Sequence, residues 1–361
     1  MPLVSQVKGL RRPSLSTLRV AVDAMGGDSA PANIVEGAVR AAEQLPAPPH
    51  IVLVGQMPRM EAELVRLGKR PRLIELHHAS EVVEMSDHPS QAIRQRKDSS
   101  LRVCFDLMEA GKVDAVVSAG NSGAMLAGAL LVSGRLPGVD RPAIGAVFPS
   151  LSGRTLMLDA GANAECKPLH LVQFALMGEV YARRMLGIEK PRVGVLSNGE
   201  EETKGTDLTR AAAAALRGMG DEFIGYAEGN DLFNGAVDVA VCDGFVGNMI
   251  LKAAEGVAQA IVSTLRQTMK EDAMASAGML LARRALRRFR EAMDWETVGG
   301  APLVGCRGVS IVAHGRSGPK AIMNAVRVAA EAAAVGMDAE LSEAAKLGRE
   351  LLGPRKKAVE G

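Results

Sequence analysis

Short runs of apolar residues recur along the chain, and most of them end in Gly, Asn, Ser or Asp before a stretch with helical spacing. Their hydrophobicity is continuous rather than alternating, which is typical of strands buried on both faces of a sheet. The intervening segments 99–110 and 168–185 have the apolar spacing and length of crossover helices. The pattern therefore predicts an α/β protein, a doubly wound α/β/α sandwich with a largely parallel sheet. The predicted strands are 18–22, 51–54, 113–117, 155–158, 192–196, 237–241 and 309–313.

One stretch, residues 248–295, has a helical pattern without a credible strand. Within it, the segment 279–293 places apolar residues on one stripe and arginines between them. A basic amphipathic helix of this kind lies on anionic lipid, binds an acidic partner, packs against a second subunit, or is an ordinary surface helix. The predicted membrane or partner contacts are Leu286, Phe289, Arg283, Arg284, Arg287 and Arg288.

The charge balance and the cysteine spacing argue against several classes of protein. Lys plus Arg number 43 against 41 Asp plus Glu, and aromatic residues make up 3% of the 361 residues, so nucleic-acid binding is not expected. The four cysteines, at 104, 166, 242 and 306, are far apart and form no metal-ligand or redox motif. We therefore expect reduced thiols and no dedicated metal site.

The N-terminal residues carry arginines but lack the apolar core of a signal peptide. The longest apolar run, 124–132, is far shorter than the ~20 residues of a spanning helix. We expect a soluble or at most peripheral protein, with an N-terminal extension over 1–17, one domain over 18–352 and a C-terminal tail over 353–361.

Glycine-rich polar turns follow most of the predicted strands. In open parallel sheets, ligands bind beyond the carboxyl ends of the strands. Glycine lets the backbone approach a ligand closely, and a helix start supplies free N–H groups and a partial positive charge. Several such turns at one edge predict an anion site, with phosphate as the expected anion. The turns are 23–28, 118–123, 159–163, 197–199, 242–244 and 314–315.

Three common catalytic motifs are absent from the sequence. No G-x-G-x-x-G follows a strand, the segment 199–205 does not form a P-loop, and no G-x-S-x-G is present. Rossmann redox chemistry, nucleotide hydrolysis and serine hydrolysis therefore lose support. The remaining candidates are cations near the turns: Arg94, Arg96 and Lys97 precede a helix start, and Lys204 follows an acidic run that would keep it protonated.

Eight short motifs occur in series between about 18 and 335. They are Val-Ala-Val-Asp-Ala-Met-Gly-Gly-Asp-Ser-Ala-Pro at 20–31, Lys-Asp-Ser-Ser at 97–100, Ser-Ala-Gly-Asn-Ser-Gly-Ala at 118–124, Gly-Arg-Leu-Pro-Gly-Val-Asp-Arg-Pro-Ala at 134–143, Asp-Ala-Gly-Ala-Asn at 159–163, Cys-Asp-Gly-Phe-Val-Gly-Asn at 242–248, Gly-Gly-Ala-Pro-Leu-Val-Gly at 299–305 and Ala-His-Gly at 313–315. Together they resemble the signatures of the bacterial phosphate acyltransferase family (acyl-ACP:phosphate acyltransferase, the PlsX family).

The resemblance implies a reaction, the transfer of a fatty acyl group from acyl carrier protein to inorganic phosphate. The acyl phosphate formed would feed a glycerol-3-phosphate acyltransferase in phospholipid (phosphatidic acid) synthesis. It further implies a fold related to isocitrate-type dehydrogenases and phosphotransacetylases, a homodimer and no cofactor. The expected location is cytoplasmic, peripherally associated with the inner face of the membrane, and the helical segment 248–295 matches the family's membrane and dimer region.

The resemblance also suggests roles for residues. Lys204 is expected to stabilise charge, and His314 to assist proton transfer or to cap a strand end. Phosphate is expected near the turns at 26–27, 121–123 and 163. The full set of predicted substrate-binding residues is Asp23, Gly26, Gly27, Asp28, Lys97, Asn121, Ser122, Gly123, Asn163, Asn198, Asp243 and Asn248.

The chain departs from the family pattern at three positions. Thr206 follows Lys204-Gly205 where the family usually has Asn, and Ser29 stands where His is common. The strand before Lys204 ends Leu-Ser-Asn-Gly instead of Leu-Asn-x-Gly, which shifts Asn198 by one position.

Two other functions stay open at this point. A phosphotransacetylase-like enzyme would use acyl-CoA instead of the acidic carrier protein, for which 94–97 or 283–290 would be the basic docking face. A non-enzymatic scaffold for membranes and lipid-synthesis partners is the third possibility, although it would have no need of phosphate-binding turns.

Overall fold

The computed structural model describes residues 15–271, 284 and 295–353. Its contacts divide the chain into two compact units. Unit 1 contains the described residues of Met1–Ser133 and Gly308–Gly336, and unit 2 those of Gly134–Arg307 and Met337–Gly361. Of the predicted extension 1–17 and tail 353–361, residues 1–14 and 354–361 lie outside the described residues.

The described chain alternates strands and helices along most of its length. The strands are β1 Arg19–Asp23, β2 His50–Gly55, β3 Ile74–His78, β4 Ala115–Ser118, β5 Ala143–Ser150, β6 Gly153–Leu158, β7 Val193–Leu196, β8 Phe223–Ala227, β9 Val239–Val241, β10 Ala301–Val304 and β11 Val309–Val312. The helices are α1 Ala32–Gln44, α2 Met57–Leu67, α3 Pro89–Gln95, α4 Ser100–Glu109, α5 Ser122–Gly128, α6 Pro168–Tyr181, α7 Asp207–Leu216, α8 Asp231–Asn234, α9 Gly244–Glu271, α10 Pro319–Val335 and α11 Asp338–Leu352.

In unit 1, five strands lie in the order β3-β2-β1-β4-β11, and every neighbouring pair is parallel. The inner strands are apolar throughout because helices cover both of their faces; Val20 and Leu53, for example, are fully buried. Since all five strands point the same way, the turns after β1, β4 and β11 gather at one edge of this sheet.

In unit 2, the strand order is β10-β5-β6-β9-β7-β8. The pairs from β6 to β8 are parallel, whereas β5 runs antiparallel to both β6 and β10. The turns after β6, β9 and β7 therefore lie at one edge of the parallel part. The predicted largely parallel α/β sandwich is confirmed, with an antiparallel pairing at β5 that the sequence pattern did not indicate.

Each of the seven predicted strands overlaps an observed strand, but four observed strands were missed. β3 and β8 are edge strands whose residues are mostly half-exposed or exposed, so they lack a continuous apolar run. β5 contains Gly145 and Pro149, and β10 contains Pro302, residues that argue against a strand in a sequence pattern.

The helix α9 is unusual because most of it does not pack on the described chain. Its first turns pack through Ile250, Leu251 and Ala254 against a buried cluster of unit 2. Beyond them, Val257 and Ile261 are 60% and 53% exposed. The segment Gly244–Thr264 is long and apolar enough to cross a membrane by length and composition alone, and 6% of its most apolar window is buried.

Candidate active site

In unit 1, a buried carboxylate links the turns after β1 and β4. Asp23, the last residue of β1, is 3% exposed. Its Oδ2 accepts a hydrogen bond from Ser118 Oγ at 2.7 Å, and its Oδ1 accepts one from the Met25 N–H at 3.2 Å. Ser118 Oγ in turn accepts from the Gly120 N–H at 3.0 Å. We call Asp23, Ser118, Gly26 and Gly120 the Asp23 cluster.

The glycine at position 26 permits this close approach of two turns. A Cβ atom there would lie 2.6 Å from Asp23 Oδ2 and 2.8 Å from both the Gly120 nitrogen and Ser118 Oγ. The neighbouring Gly27 has a φ of 114°, which an L-residue rarely adopts. The predicted residues Gly26 and Gly27 therefore lie beside Gly120 at the edge of the unit 1 sheet.

Burial raises the pKa of the Asp23 carboxyl above its usual value, and hydrogen bonds from Ser100, Ser118 and the Met25 N–H oppose that rise. The folded protein thus keeps this proton to a higher pH than the unfolded chain does. The contribution of Asp23 to the free energy of unfolding is therefore greatest below the ordinary Asp pKa. It falls as the pH rises through the raised pKa of the folded state.

Asp23→Asn should remove this dependence, because asparagine is uncharged and nearly isosteric. We expect the variant to lose the part of the wild-type decline in unfolding free energy that begins above about pH 4. Urea denaturation across the pH range measures it. Asp98→Asn is the control of opposite sign, because a hydrogen bond from Ser80 lowers the pKa of that exposed carboxyl. An unchanged slope in Asp23→Asn would show that Asp23 does not titrate in this way.

The loop after β11 completes this edge of unit 1. The Asp28 N–H donates to Gly315 O at 2.8 Å, and the Arg316 N–H donates to His314 Nδ1 at 3.1 Å. Because Nδ1 accepts that hydrogen bond, the neutral imidazole carries its proton on Nε2. The predicted role of His314, proton transfer or capping of a strand end, stays a prediction.

Both polar atoms of the Asn121 side chain make hydrogen bonds within the protein. Its Oδ1 accepts from the Ala124 N–H at 3.0 Å and caps α5. Its Nδ2 donates to Met85 O at 3.1 Å and to Asp87 O at 3.3 Å, which holds the segment 82–88 against α5. Arg96 ties the same segment through Asp87 Oδ1 at 2.8 Å. A contact of Asn121, Ser122 or Gly123 with substrate stays a prediction.

In unit 2, a second buried carboxylate organises the turns after β6 and β9. Asp159 is fully buried and accepts five hydrogen bonds. Four come from the backbone N–H groups of Ile144, Gly161, Ala162 and Asn163, at 2.7–3.2 Å, and one from Asn163 Nδ2 at 2.9 Å. We call Asp159 with the turn 160–163 the Asp159 cluster.

The start of α9 packs directly on the Asp159 cluster. The Gly244 N–H donates to Asn163 O at 2.7 Å, and Asp243 Oδ1 accepts from the Val246 N–H at 2.9 Å. Gly161 faces Asn248, whose Cβ would lie 3.6 Å from a Cβ at position 161. The structure therefore brings Asn163, Asp243 and Asn248 together.

Lys204 lies in the turn after β7, at the same edge of the unit 2 sheet. Asn198 Oδ1 accepts from the Gly205 N–H at 2.9 Å, and the Lys204 N–H donates to Glu201 O at 2.9 Å. The Lys204 side chain is partly exposed, and its ammonium makes no hydrogen bond or ion pair with the described residues. Asn198 thus closes the loop, whereas Lys204 presents an unpaired positive charge.

The departure at position 206 has a structural explanation. Thr206 is the N-cap of α7, and its hydroxyl accepts from the Thr209 N–H at 3.3 Å. Threonine and asparagine are both good N-cap residues, so either one can start this helix.

Cys166, a thiol beside the Asp159 cluster, is not poised as a nucleophile. Cys166 Sγ lies 3.6 Å from Asn163 O. Burial, followed by the charges of Asp159 and Asp243, raises the pKa of the Cys166 thiol to about 12. At neutral pH it is a protonated thiol, and the thiolate is the form that attacks.

The hydrogen bonds of the two clusters could not be read from the sequence. Asp159 and Ser118 lie in recognised motifs, but their hydrogen bonds depend on pairing between distant strands. An aspartate directly after an apolar run is the signal that would have singled out Asp159.

Lys97, another predicted substrate-binding residue, is exposed and makes no hydrogen bond or ion pair with the described residues.

Most of the predicted membrane or partner contacts lie outside the described residues. Leu286, Phe289, Arg283, Arg287 and Arg288 are among them. Arg284 is described, and it is helical and exposed.

Comparison with known proteins identifies relatives over nearly the whole chain. The family model described as fatty acid synthesis protein matches residues 18–339. A phosphate acyltransferase of Geobacter sulfurreducens is 51% identical over 326 residues, 90% of this chain and 94% of the relative. One of Anaeromyxobacter dehalogenans is 55% identical over 327 residues, 90% of each chain.

Solved structures share the fold at much lower identity. A phosphotransacetylase from Streptococcus pyogenes aligns with a TM-score of 0.56 and 16% identity, covering 88% of this chain and 94% of its own. The EutD phosphotransacetylase from Staphylococcus aureus aligns with a TM-score of 0.54 and 15% identity, covering 89% and 95%. From the matched motifs, the family model and the relatives, the chain belongs to the fatty acid synthesis protein family, among its phosphate acyltransferases.

Proposed function

We propose that this acyltransferase moves a fatty acyl group from acyl carrier protein to inorganic phosphate and releases acyl phosphate. The observation that carries the proposal is the unpaired ammonium of Lys204 at the strand edge that also bears the Asp159 cluster. A multiply charged nucleophile and a developing oxyanion both need a positive charge of this kind. The names of the relatives support phosphate as the acceptor.

The reaction needs no nucleophilic side chain. A phosphate oxygen attacks the thioester carbonyl carbon, the C–O bond forms, and the C–S bond breaks as the carrier thiolate leaves. Lys204 stabilises the negative charge on phosphate and on the carbonyl oxygen. The departing thiolate takes up a proton from solvent. The raised pKa of the Cys166 thiol argues against an acyl-cysteine intermediate.

The identity of the acyl donor is the finer part of the proposal. Acyl carrier protein is acidic, and Arg94 and Lys97 are exposed cations without ion pairs to the described residues. A phosphotransacetylase-like use of acyl-CoA is the alternative, because two solved structures that share the fold are named phosphotransacetylases.

Donor selectivity tests the carrier. We expect Arg94→Glu with Lys97→Glu to raise the KM for palmitoyl-acyl carrier protein about tenfold and to leave that for palmitoyl-CoA unchanged. Arg70→Glu with Arg72→Glu is the matched control, since both arginines are exposed and precede β3, at the opposite end of the strands. Equal effects on both donors, or a preference of the wild type for acyl-CoA, would favour the alternative.

The proposed product places the enzyme before a glycerol-3-phosphate acyltransferase in phosphatidic acid synthesis. Acyl phosphates are reactive mixed anhydrides, so we expect the reaction that consumes them to take place close to where they form, near the membrane. We therefore propose a cytoplasmic protein that associates peripherally with the inner membrane face.

The exposed apolar face of α9 supports membrane contact and a homodimer. Val257 and Ile261 lie one turn apart on this helix and are largely exposed. We expect Val257→Glu with Ile261→Glu to abolish flotation with anionic vesicles, and Gln259→Glu on the same helix to leave it unchanged.

Sedimentation of the same variants separates the two roles of α9. If flotation is lost and the sedimentation mass of the variant is unchanged, the exposed face of α9 contacts lipid. If the sedimentation mass is halved, that face contacts the second subunit. If neither property changes, α9 has neither role.

A further inference from the structure

We propose that Arg141 is a further substrate-binding residue of unit 2, whose guanidinium contacts a phosphoryl oxyanion, and that the buried His170 and its partner Asp140 are positioning residues that hold it in place. The inference rests on the proposed function and deepens it by naming a second positive group for the phosphoryl chemistry of that site. Arg141 belongs to the motif at 134–143, in which none of the predicted site residues lies.

The antiparallel strand β5 brings Arg141 to the edge of the sheet that bears the turn after β6. Because β5 runs opposite to β6, its first residues lie beside the last residues of β6. The Ile144 N–H donates to Asp159 Oδ1 at 2.9 Å, and Asn163 Nδ2 donates to Pro142 O at 2.8 Å. Arg141 directly precedes Pro142, so it lies at the edge where the parallel strands of unit 2 end, although it stands before a strand in the sequence.

Hydrogen bonds from α6 fix the residue before Arg141. His170 is 3% exposed, and its Nδ1 accepts from the Lys167 N–H at 3.0 Å, so the neutral imidazole carries its proton on Nε2. Nε2 donates to Asp140 Oδ2 at 2.8 Å, and this hydrogen bond lowers the pKa of the Asp140 carboxyl. The Asp140 N–H donates to Oε1 of the fully buried Gln173 at 2.9 Å. Asp140 is therefore held to α6 through both its side chain and its backbone.

The Arg141 side chain itself is exposed and makes no hydrogen bond or ion pair with the described residues. Its charge nevertheless acts on the turn after β6, where Cys166 Sγ lies 3.6 Å from Asn163 O. Burial, followed by the charges of Asp159 and Asp243, raises the pKa of the Cys166 thiol, and the charge of Arg141 opposes that rise. The guanidinium therefore lies near this turn and is available to a ligand.

The charges at this edge allow an anion to bind. Asp159 is buried and already accepts five hydrogen bonds, and Asp243 Oδ1 accepts from the Val246 N–H at 2.9 Å. Neither carboxylate forms an ion pair with Arg141 among the described residues. Lys204 supplies a second cation at the same edge. A guanidinium offers paired N–H donors that match two phosphoryl oxygens, which an ammonium does not.

Two phosphoryl groups carry the required chemistry. One is free phosphate, the acceptor, and the other is the phosphoryl group at the end of the donor's pantetheine arm. The strands β5 and β7 are three positions apart in the sheet, roughly 14 Å. Across that distance, Arg141 and Lys204 can hold one phosphate between their long side chains, or Arg141 can hold the donor arm. Kinetics with acyl-phosphopantetheine and with acyl-pantetheine, which lacks that phosphoryl group, distinguish the two sources.

Arg141→Gln in the full-length protein removes the charge and keeps a polar side chain. If Arg141 binds free phosphate, we expect the KM for phosphate to rise about tenfold with every donor. If it binds the donor arm, kcat/KM falls about tenfold for acyl-phosphopantetheine and stays unchanged for acyl-pantetheine. Arg154→Gln is the matched control, because Arg154 is also exposed and unpaired among the described residues but lies near the start of β6, at the opposite edge. Equal effects of the two substitutions would overturn the role of Arg141.

Variants of Asp140 test the positioning role. We expect Asp140→Ala to change the same kinetic constant as Arg141→Gln, by about fivefold. Asp140→Asn keeps an oxygen that accepts from His170 and should restore most of the loss. In the double variant, Asp140→Ala should add nothing to Arg141→Gln, because no guanidinium is left to position. Effects that multiply in the double variant would overturn the positioning role.

Binding measured without turnover keeps this inference separate from the proposed function. Calorimetric titration of inorganic phosphate and of phosphopantetheine into the wild type and Arg141→Gln should show weaker binding of one ligand to the variant. Unchanged binding and kinetics in the variant would overturn the role of Arg141. A wild type that binds one of these ligands through Arg141 but transfers no acyl group would instead overturn the proposed function and leave the binding residue in place.

Discussion

Lys204→Ala is expected to lower kcat by roughly a hundredfold to a thousandfold, the range seen when a single oxyanion-stabilising group is removed. The ammonium is the stabilising charge that the structure offers after β7, and it has no ion pair with the described residues. Its removal therefore leaves no orphaned carboxylate, and the free energy of unfolding should change little. Initial rates of thiol release with saturating phosphate measure the effect.

Two further variants test whether the loss of rate depends on position 204 and whether it depends on the positive charge there. Lys346→Ala removes an exposed lysine that pairs with Glu343 on α11, and it should keep wild-type activity. Lys204→Arg keeps the charge and should recover part of the rate if charge alone is needed. Full activity in Lys204→Ala would remove the residue from the mechanism and leave the family assignment intact.

Gly247→Ala is expected to lower the free energy of unfolding by about 3 kcal/mol or more and to abolish activity. A Cβ at this position would overlap the Asp159 carbonyl oxygen and lie 2.9 Å from its carbon. Both atoms belong to the backbone, so the start of α9 must move away from the end of β6. Such a shift disturbs the Asp159 cluster.

Gly256→Ala, the same substitution in the same helix, is the matched control. No atom lies within 4 Å of a Cβ at position 256, so alanine should stabilise the helix by up to about 1 kcal/mol. Denaturant titration measures both variants. Equal effects at the two positions would mean that the contact with Asp159 is unimportant.

The sequence predicted the buried central strands of each sheet better than its edge strands. The strands β1, β2 and β4 are covered on both faces, so their apolar runs were unmistakable. The edge strand β3 has half-exposed residues and gives no such run. The antiparallel pairing of β5 depends on contacts between distant parts of the chain, so no local sequence pattern indicates it.

The candidate site shows the same division. The sequence indicated which turns follow strands, and Gly26, Asn163 and Lys204 lie in such turns. It could not show that two buried carboxylates, Asp23 and Asp159, use many of the N–H groups of those turns, because their partners come from distant parts of the chain. The glycines were therefore expected to contact an anion directly, whereas Gly26 first of all allows two turns to pack closely.

The most direct test of the account is the reaction itself. Purified protein is mixed with palmitoyl-acyl carrier protein, with and without inorganic phosphate, and free thiol and hydroxylamine-trappable acyl phosphate are followed together. If phosphate is the acyl acceptor, both products form in equal amounts and only when phosphate is present. Thiol release without phosphate would indicate a thioesterase, and the absence of any turnover would favour a scaffold, so either result would contradict the proposed acyl transfer.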